Sequence, residues 1–204
     1  MSTHLFVYLA SQSPRRAQLM EQLGVAHRPL APDRHEDMEA LEEQRSNEPP
    51  NEYVRRVTIL KMNAARARLK RRRLQEAPIL CADTTVALGK RILAKPQSAE
   101  HAAEMLRALS GRTHRVMTAV AVSVGRQTLL EVSESRVRFA ELSERTIGMY
   151  VASGEPMGKA GAYAIQSRIA AWIEHIEGSY TGIMGLPLHE TTTLLSRARV
   201  RLDL

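Results

Sequence analysis

Cysteine is nearly missing from this chain. A single residue, Cys81, in 204 positions excludes an intrachain disulfide and a cysteine-based zinc site. Aromatic residues are scarce at 4%. The core must therefore come mainly from Leu, Val, Ile, Ala and Met, and a stacking platform for single-stranded nucleic acid is disfavoured. No apolar segment approaches the ~20 residues a helix needs to span a bilayer. No basic stretch precedes the short apolar run at the amino end, so no signal peptide is read and a cytoplasmic protein is expected. The seven histidines form no HExxH or HxxxH pattern and read as structural or exposed. A G-x-S-x-G elbow, a Walker loop and a G-x-G-x-x-G fingerprint are all missing, which sets aside hydride transfer and P-loop chemistry. Internal repeats and low-complexity tracts are missing too.

What is present is ordinary in bulk and uneven in detail. The length suits one large domain or two small lobes, and 44% hydrophobic with 25% charged residues is typical of a globular protein. The formal net charge of +7 implies attraction to polyanions without choosing among them. Much of the excess lies in Arg66, Arg68, Lys70, Arg71, Arg72 and Arg73, at the end of an expected helix where cations suit the dipole. A solvated basic helix end is the expected reading there. A non-catalytic module that holds nucleic acid or a division protein is the alternative that the charge supports.

Hydrophobic periodicity predicts alternating elements. Leu5 to Ala10 and Ala77 to Val86 read as buried strands, Ala17 to Gly24 as a helix closed by glycine, and Tyr53 to Lys70 as a long helix. Residues 33 to 51, acidic and polar with Pro49-Pro50, read as a mobile loop or a short helix plus loop. Ser98 caps a helix through Leu109. Arg115 to Val124 and Leu129 to Phe139 read as a hairpin about Gly125-Arg126. Glu144 to Ala152 reads as a helix opened by Ser143, Ala170 to Ile176 as a strand, and Pro187 to Ala198 as the last helix. Several strands are hairpin-connected, so an α/β fold with a mixed sheet is expected.

Ser11-Gln12-Ser13-Pro14-Arg15-Arg16 stands out. Ser13 suits an N-cap and Pro14 the first helical position. Arg15 and Arg16 then fall in a first turn that already carries partial positive charge, which makes sense if an anion joins them. Backbone N–H groups, serine hydroxyls and guanidinium forks together form a phosphate site; the plainer reading is a capped helix with two solvated arginines. Asp83 ends an apolar strand, where clefts form in α/β sheets, and could hold a metal or take a proton from water. Lys61 and Lys95 could neutralise phosphate charge, although each alone also reads as a surface lysine. Gln166 follows a run of small residues, Gly158 to Ala164, and could read a base edge with its donor and acceptor. Tight strand packing would need the same small residues.

The ordered set Leu9 to Arg16, Ala82-Asp83-Thr84-Thr85, Lys95-Pro96, Leu109 to His114, Lys159 to Gln166 and Gly178-Ser179-Tyr180 through Gly185-Leu186-Pro187 resembles the Maf family of nucleoside triphosphate pyrophosphatases. The resemblance runs from about residue 4 to 197. It implies a single Maf-like domain, 1–204, with a twisted mixed sheet flanked by helices and two lobes around a central cleft. It implies hydrolysis of a triphosphate between its α and β phosphates with magnesium or manganese. Asp83 then corresponds to the proton acceptor, with Lys61 and Lys95 as catalytic cations. Ser11, Ser13, Arg15, Arg16, Thr84 and Gln166 become substrate-binding residues. An arginine, a threonine and a glutamine at positions 15, 84 and 166 are similar to the subgroup acting on dTTP and UTP.

Glu36 is the best match for a second metal-site acid beside Asp83, with Asp33 or Asp37 as substitutes. Gly158, Ser167, Cys81 and Met62 depart from the residues usual in the family. The expected partner is a nucleoside triphosphate, with neither a membrane nor nucleic acid. A homodimer is compatible with the sequence, which does not specify an oligomeric state.

Overall fold

The computed structural model describes residues 3–202, so the outermost two residues at each end of the expected 1–204 domain lie outside the described residues. Seven strands form one sheet in the order β2-β1-β3-β5-β6-β7, with β4 also paired to β3. The elements are β1 (Val7–Leu9), α1 (Pro14–Gln22), β2 (His27–Pro29), α2 (Pro50–Arg71), β3 (Ile79–Leu88), β4 (Arg91–Leu93), α3 (Ala99–Leu109), β5 (Thr113–Val124), β6 (Gln127–Phe139), α4 (Glu144–Ala152), β7 (Ile173–Glu177), α5 (Tyr180–Met184) and α6 (Leu188–Arg197). The β1 strand runs parallel to β2 and β3, and all other pairings are antiparallel. The sheet is mixed, as its hairpin-like connections required.

Local chemistry accounts for most boundaries. Ser98 Oγ accepts from the His101 amide at 3.1 Å, and Ser143 Oγ from the Thr146 amide at 3.1 Å, so α3 and α4 begin where N-cap preference places them. Pro14 and Pro50 occupy first helical positions, where a missing N–H costs nothing. This carries α2 three residues beyond the Tyr53 start expected from periodicity. Two readings change. Residues 168–172 form a 3-10 turn, and β7 starts only at Ile173, where pairing with Phe139 of β6 begins. Tyr180–Met184 forms a separate short helix before α6, because Gly185, at φ +116°, turns the chain between them. The β2 strand, three residues on an edge, had no readable alternation.

The centre of the molecule is β3. One edge pairs with β5 from Ile79 through Ala87. Its other edge is shared: β1 covers Ile79 and Leu80, and β4 covers Val86 to Leu88. Between them, residues 81–85 have no strand on that side. A cleft opens at this interruption, in keeping with the tendency of α/β sheets to bind ligands where neighbouring strands part. Side-chain alternation then divides β3 between two faces. Cys81 packs with Met62 and Ala65 of α2, whereas Leu80 and Ala82 pack with Leu19, Leu186 and Leu195. A further core of Val86, Leu106, Leu109, Phe139 and Ile147 supports the far end of the strand. Among the described residues no helix is long and apolar enough to cross a membrane.

Candidate active site

The cleft encloses about 390 Å³ and brings together Ser11, Ser13, Arg15, Arg16, Lys61, Asp83, Thr84, Lys95 and Gln166 from five separate stretches of chain. Of the expected site residues only Glu36 does not line it.

One side is a ladder of alternating charge. Lys61, from α2, donates from Nζ to Asp83 Oδ1 at 2.6 Å and to Glu42 Oε1 at 2.7 Å. Lys95, just after β4, donates to Glu42 Oε2 at 2.7 Å. Tyr53 of α2 steadies the 3-10 turn that ends in Glu42 by donating to the Glu42 carbonyl at 2.8 Å. Burial alone would lower the Lys61 pKa, but the charges of Asp83 and Glu42 outweigh it and raise it, so Lys61 stays an ammonium. Burial opposes ionisation of Glu42, yet Lys61 and Lys95 hold it below the ordinary carboxylate range. Asp83 is only 7% exposed, and its Oδ2 has no hydrogen-bond partner among the described residues.

The acid that meets Asp83 is therefore Glu42, and the expectation of Glu36 is corrected. Arg68, 1% exposed inside α2, claims Glu36 through two bonds of 2.9 and 2.5 Å, and Arg71 adds a third at 2.7 Å. A buried guanidinium cannot shed its charge, so it demands a carboxylate of its own. Asp33 is paired with Arg71 and Arg72, and Asp37 accepts from the Glu39 and Ala40 amides. The basic end of α2 is accordingly only partly a solvated face: Lys70, Arg71 and Arg73 are exposed, while Arg68, Arg71 and Arg72 are stitched to the acidic segment that precedes them.

The opposite side carries cations without carboxylates. Arg15 makes one long bond, from Nε to the Met184 carbonyl at 3.4 Å. Lys159 reaches only the Met157 carbonyl at 3.3 Å. Burial lowers the pKa of both, and Arg15 lowers Lys159 further, so two cations share a part-buried space that an anion would relieve. Ser13 sits at the N-cap but makes no side-chain cap bond; Pro14 has no N–H, and the Arg16 and Ala17 amides donate to the Ser13 carbonyl, so the Ser13 hydroxyl and the Arg15 amide are left for a ligand. Gln166 is exposed on the cleft, and no hydrogen bond holds its amide among the described residues.

Arg16 behaves differently from its neighbour. It donates from Nε to the Gly185 carbonyl at 2.7 Å, and from its two terminal nitrogens to Ser11 and Thr84 hydroxyls at 3.3 Å each. One N–H on each of its nitrogens joins α1 to the Gly185 turn and to β3, and each terminal nitrogen keeps a second N–H. Arg16 also lines the cleft, beside Ser11 and Thr84.

The departures at four other positions are absorbed locally. Met62 is fully buried beside Cys81, whose thiol is pushed up to about 12 by burial and is inert. Ser167 bonds the Tyr150 hydroxyl at 2.9 Å, and Gly158 takes φ +70°. Sequence reasoning missed Glu42 and did not single out Lys159. Nothing separated Glu42 from the other acids of its segment, whereas Lys159 stood inside the small-residue run as a visible signal.

Over residues 6–198 the chain matches the family of the Maf-like protein. The chain belongs to the Maf-like family. A Polaromonas sp. relative, "dTTP/UTP pyrophosphatase", is 62% identical across 97% of this chain and 98% of its own length. Proteins of the same name from Albidiferax ferrireducens and Cupriavidus pinatubonensis are 59% and 54% identical, covering 93% and 97% of this chain and 95% and 99% of theirs. The mixed α/β sheet is that of a Maf-like chain, and the matched stretch includes every cleft residue named above. Such a Maf-like cleft offers hard oxygen donors in Asp83 and Glu42, joined through one ammonium, with Glu39 also on its wall. Among the described residues no group of three or more His, Cys, Asp or Glu could hold a metal by itself. That donor set fits a magnesium-like cation, which takes one or two carboxylates and fills its remaining positions with phosphate oxygens and water.

Proposed function

We propose that this Maf-like chain hydrolyses dTTP and UTP to the monophosphate and pyrophosphate. The observation that carries the reading is the division of the cleft: a carboxylate–lysine ladder on one side and carboxylate-free cations on the other. The triphosphate lies against Ser13, Arg15, Lys159 and the start of α1, where charge-assisted bonds to its oxygens replace the repulsion between the cations. Asp83 and Glu42 would hold a divalent cation such as magnesium or manganese, which when bound neutralises phosphate charge. Lys61 orients Asp83 through Oδ1, so Oδ2 is left to take the proton from the attacking water. As that water's oxygen bonds to phosphorus, the anhydride between the α and β phosphates breaks, and Lys61 and Lys95 offset the growing charge. Gln166 reads the base. The chain acts as one domain of two lobes, in the cytoplasm.

The pairing of Arg68, Arg71 and Arg72 with Asp33 and Glu36 weakens the support for a nucleic-acid module. A panel of triphosphates, with and without magnesium or manganese, tests the reading. Pyrophosphate release from dTTP and UTP is expected, and Asp83→Asn should lower kcat by about 100- to 10,000-fold. Orthophosphate as the sole product, or hydrolysis that survives Asp83→Asn, would refute it.

A further inference from the structure

Thr84 and Thr118 face each other across β3 and β5, one register pair in the middle of the sheet. Their hydroxyl oxygens lie 2.9 Å apart. Thr118 Oγ1 also lies 2.7 Å from the Gly182 carbonyl of α5, and 1% of Thr118 is exposed. A carbonyl oxygen has no hydrogen, so the single Thr118 hydrogen must go to Gly182. Thr118 can then only accept from Thr84. The Thr84 hydrogen is thereby committed to Thr118, while one Thr84 lone pair receives the Arg16 guanidinium at 3.3 Å. What remains of this hydroxyl for a ligand in the cleft is one lone pair. Thr84 is thus a poor partner for a phosphate oxygen, which needs a donor. Alternation along β3 also turns it away from the Asp83 and Lys61 face.

We propose that Thr118 is a positioning residue for base selection: it locks the Thr84 hydroxyl as an acceptor, which favours a pyrimidine that presents an N–H at ring position 3. Uracil and thymine carry that donor. Cytosine has a bare nitrogen there, and its lone pair meets the Thr84 lone pair. The inference rests on the pyrimidine reading above. A polar group buried against the wrong partner is a strong discriminator, because neither group recovers the bond it makes in water.

The test compares kcat/KM for UTP and CTP in the wild type, Thr118→Val and Thr118→Ser, with thermal melting of each. In Thr118→Val the Thr84 hydrogen is released and can turn toward the ligand. The Gly182 carbonyl keeps the Gly185 amide at 3.0 Å, so the variant does not strand it. The UTP:CTP ratio is expected to fall about tenfold, mainly through a gain on CTP, as for the loss of one hydrogen-bond preference. Thr118→Ser keeps a donor and an acceptor and should keep the ratio. Should the valine variant not fold, Thr118→Ala carries the same expectation. A valine variant that loses UTP and CTP activity equally, or leaves the ratio unchanged, overturns the role of Thr118 alone. A wild type indifferent between UTP and CTP overturns this inference together with the pyrimidine reading.

Discussion

The start of α1 and the end of α2 are both rich in arginine, and they have opposite fates. At α1, Arg15 meets only a carbonyl at 3.4 Å and faces the cleft with Lys159. At α2, Arg68 is buried against Glu36 and the Leu30 carbonyl, and Arg71 and Arg72 bind Asp33. What differs is the supply of carboxylates nearby, not the arginines. The acidic stretch from Asp33 to Glu48 folds back along α2 and consumes its charge, while the first turn of α1 has no acidic residue. A cation whose own chain supplies no anion is the one left to bind a ligand.

The contrast can be broken from either end. Arg15→Ala should lower kcat/KM for UTP by on the order of 10- to 100-fold, as for the loss of a charge-assisted bond to phosphate, with little change in melting temperature. An equal loss of stability would show that Arg15 holds the fold instead. Glu36→Gln should do the reverse: it leaves Arg68 with a buried charge and a weaker partner, costing about 2 kcal/mol in denaturant unfolding, with steady-state kinetics near wild type.

That second effect has a pH signature. Hydrogen bonds from Arg68 lead in holding Glu36 at about 2, below its unfolded value. Its stabilisation is therefore complete above the unfolded carboxylate pKa and disappears as pH falls through the folded one. The gap between wild type and Glu36→Gln should close between about pH 4.5 and 2. A gap that persists at the low end would locate the effect elsewhere. The smallest change is expected for Arg71→Ala, half exposed in its pairs with Asp33 and Glu36. Such a pair is worth about 0–1 kcal/mol and should weaken further in salt.

Much of this architecture was legible residue by residue. Caps at Ser98 and Ser143, Pro14 at the first position of α1 and the Gly125 turn act within a few residues, so the sequence carries them directly. The apolar strand that carries Asp83 and the Ser-Pro-Arg start of α1 were legible for the same reason, but β3 runs on to Leu88 and puts Asp83 in mid-strand, not at the strand end that its apolar run suggested. The edge strand β2 was not, because three residues cannot display a period. The separate helix at Tyr180 was not either, because its break depends on the αL conformation of Gly185.

The site divides along the same line. Composition and local pattern alone determined a mixed α/β chain with an arginine-rich helix start, a carboxylate on an apolar strand and a positive surplus. Tertiary structure alone decided that Glu42, not Glu36, stands beside Asp83, that Arg15 meets a single carbonyl while Arg16 is tied at three points, and that Thr118 governs the Thr84 hydroxyl. Each of these choices depends on which donor lies within about 3 Å of which acceptor, and residues 19 or more positions apart acquire such distances only through strand register and helix packing.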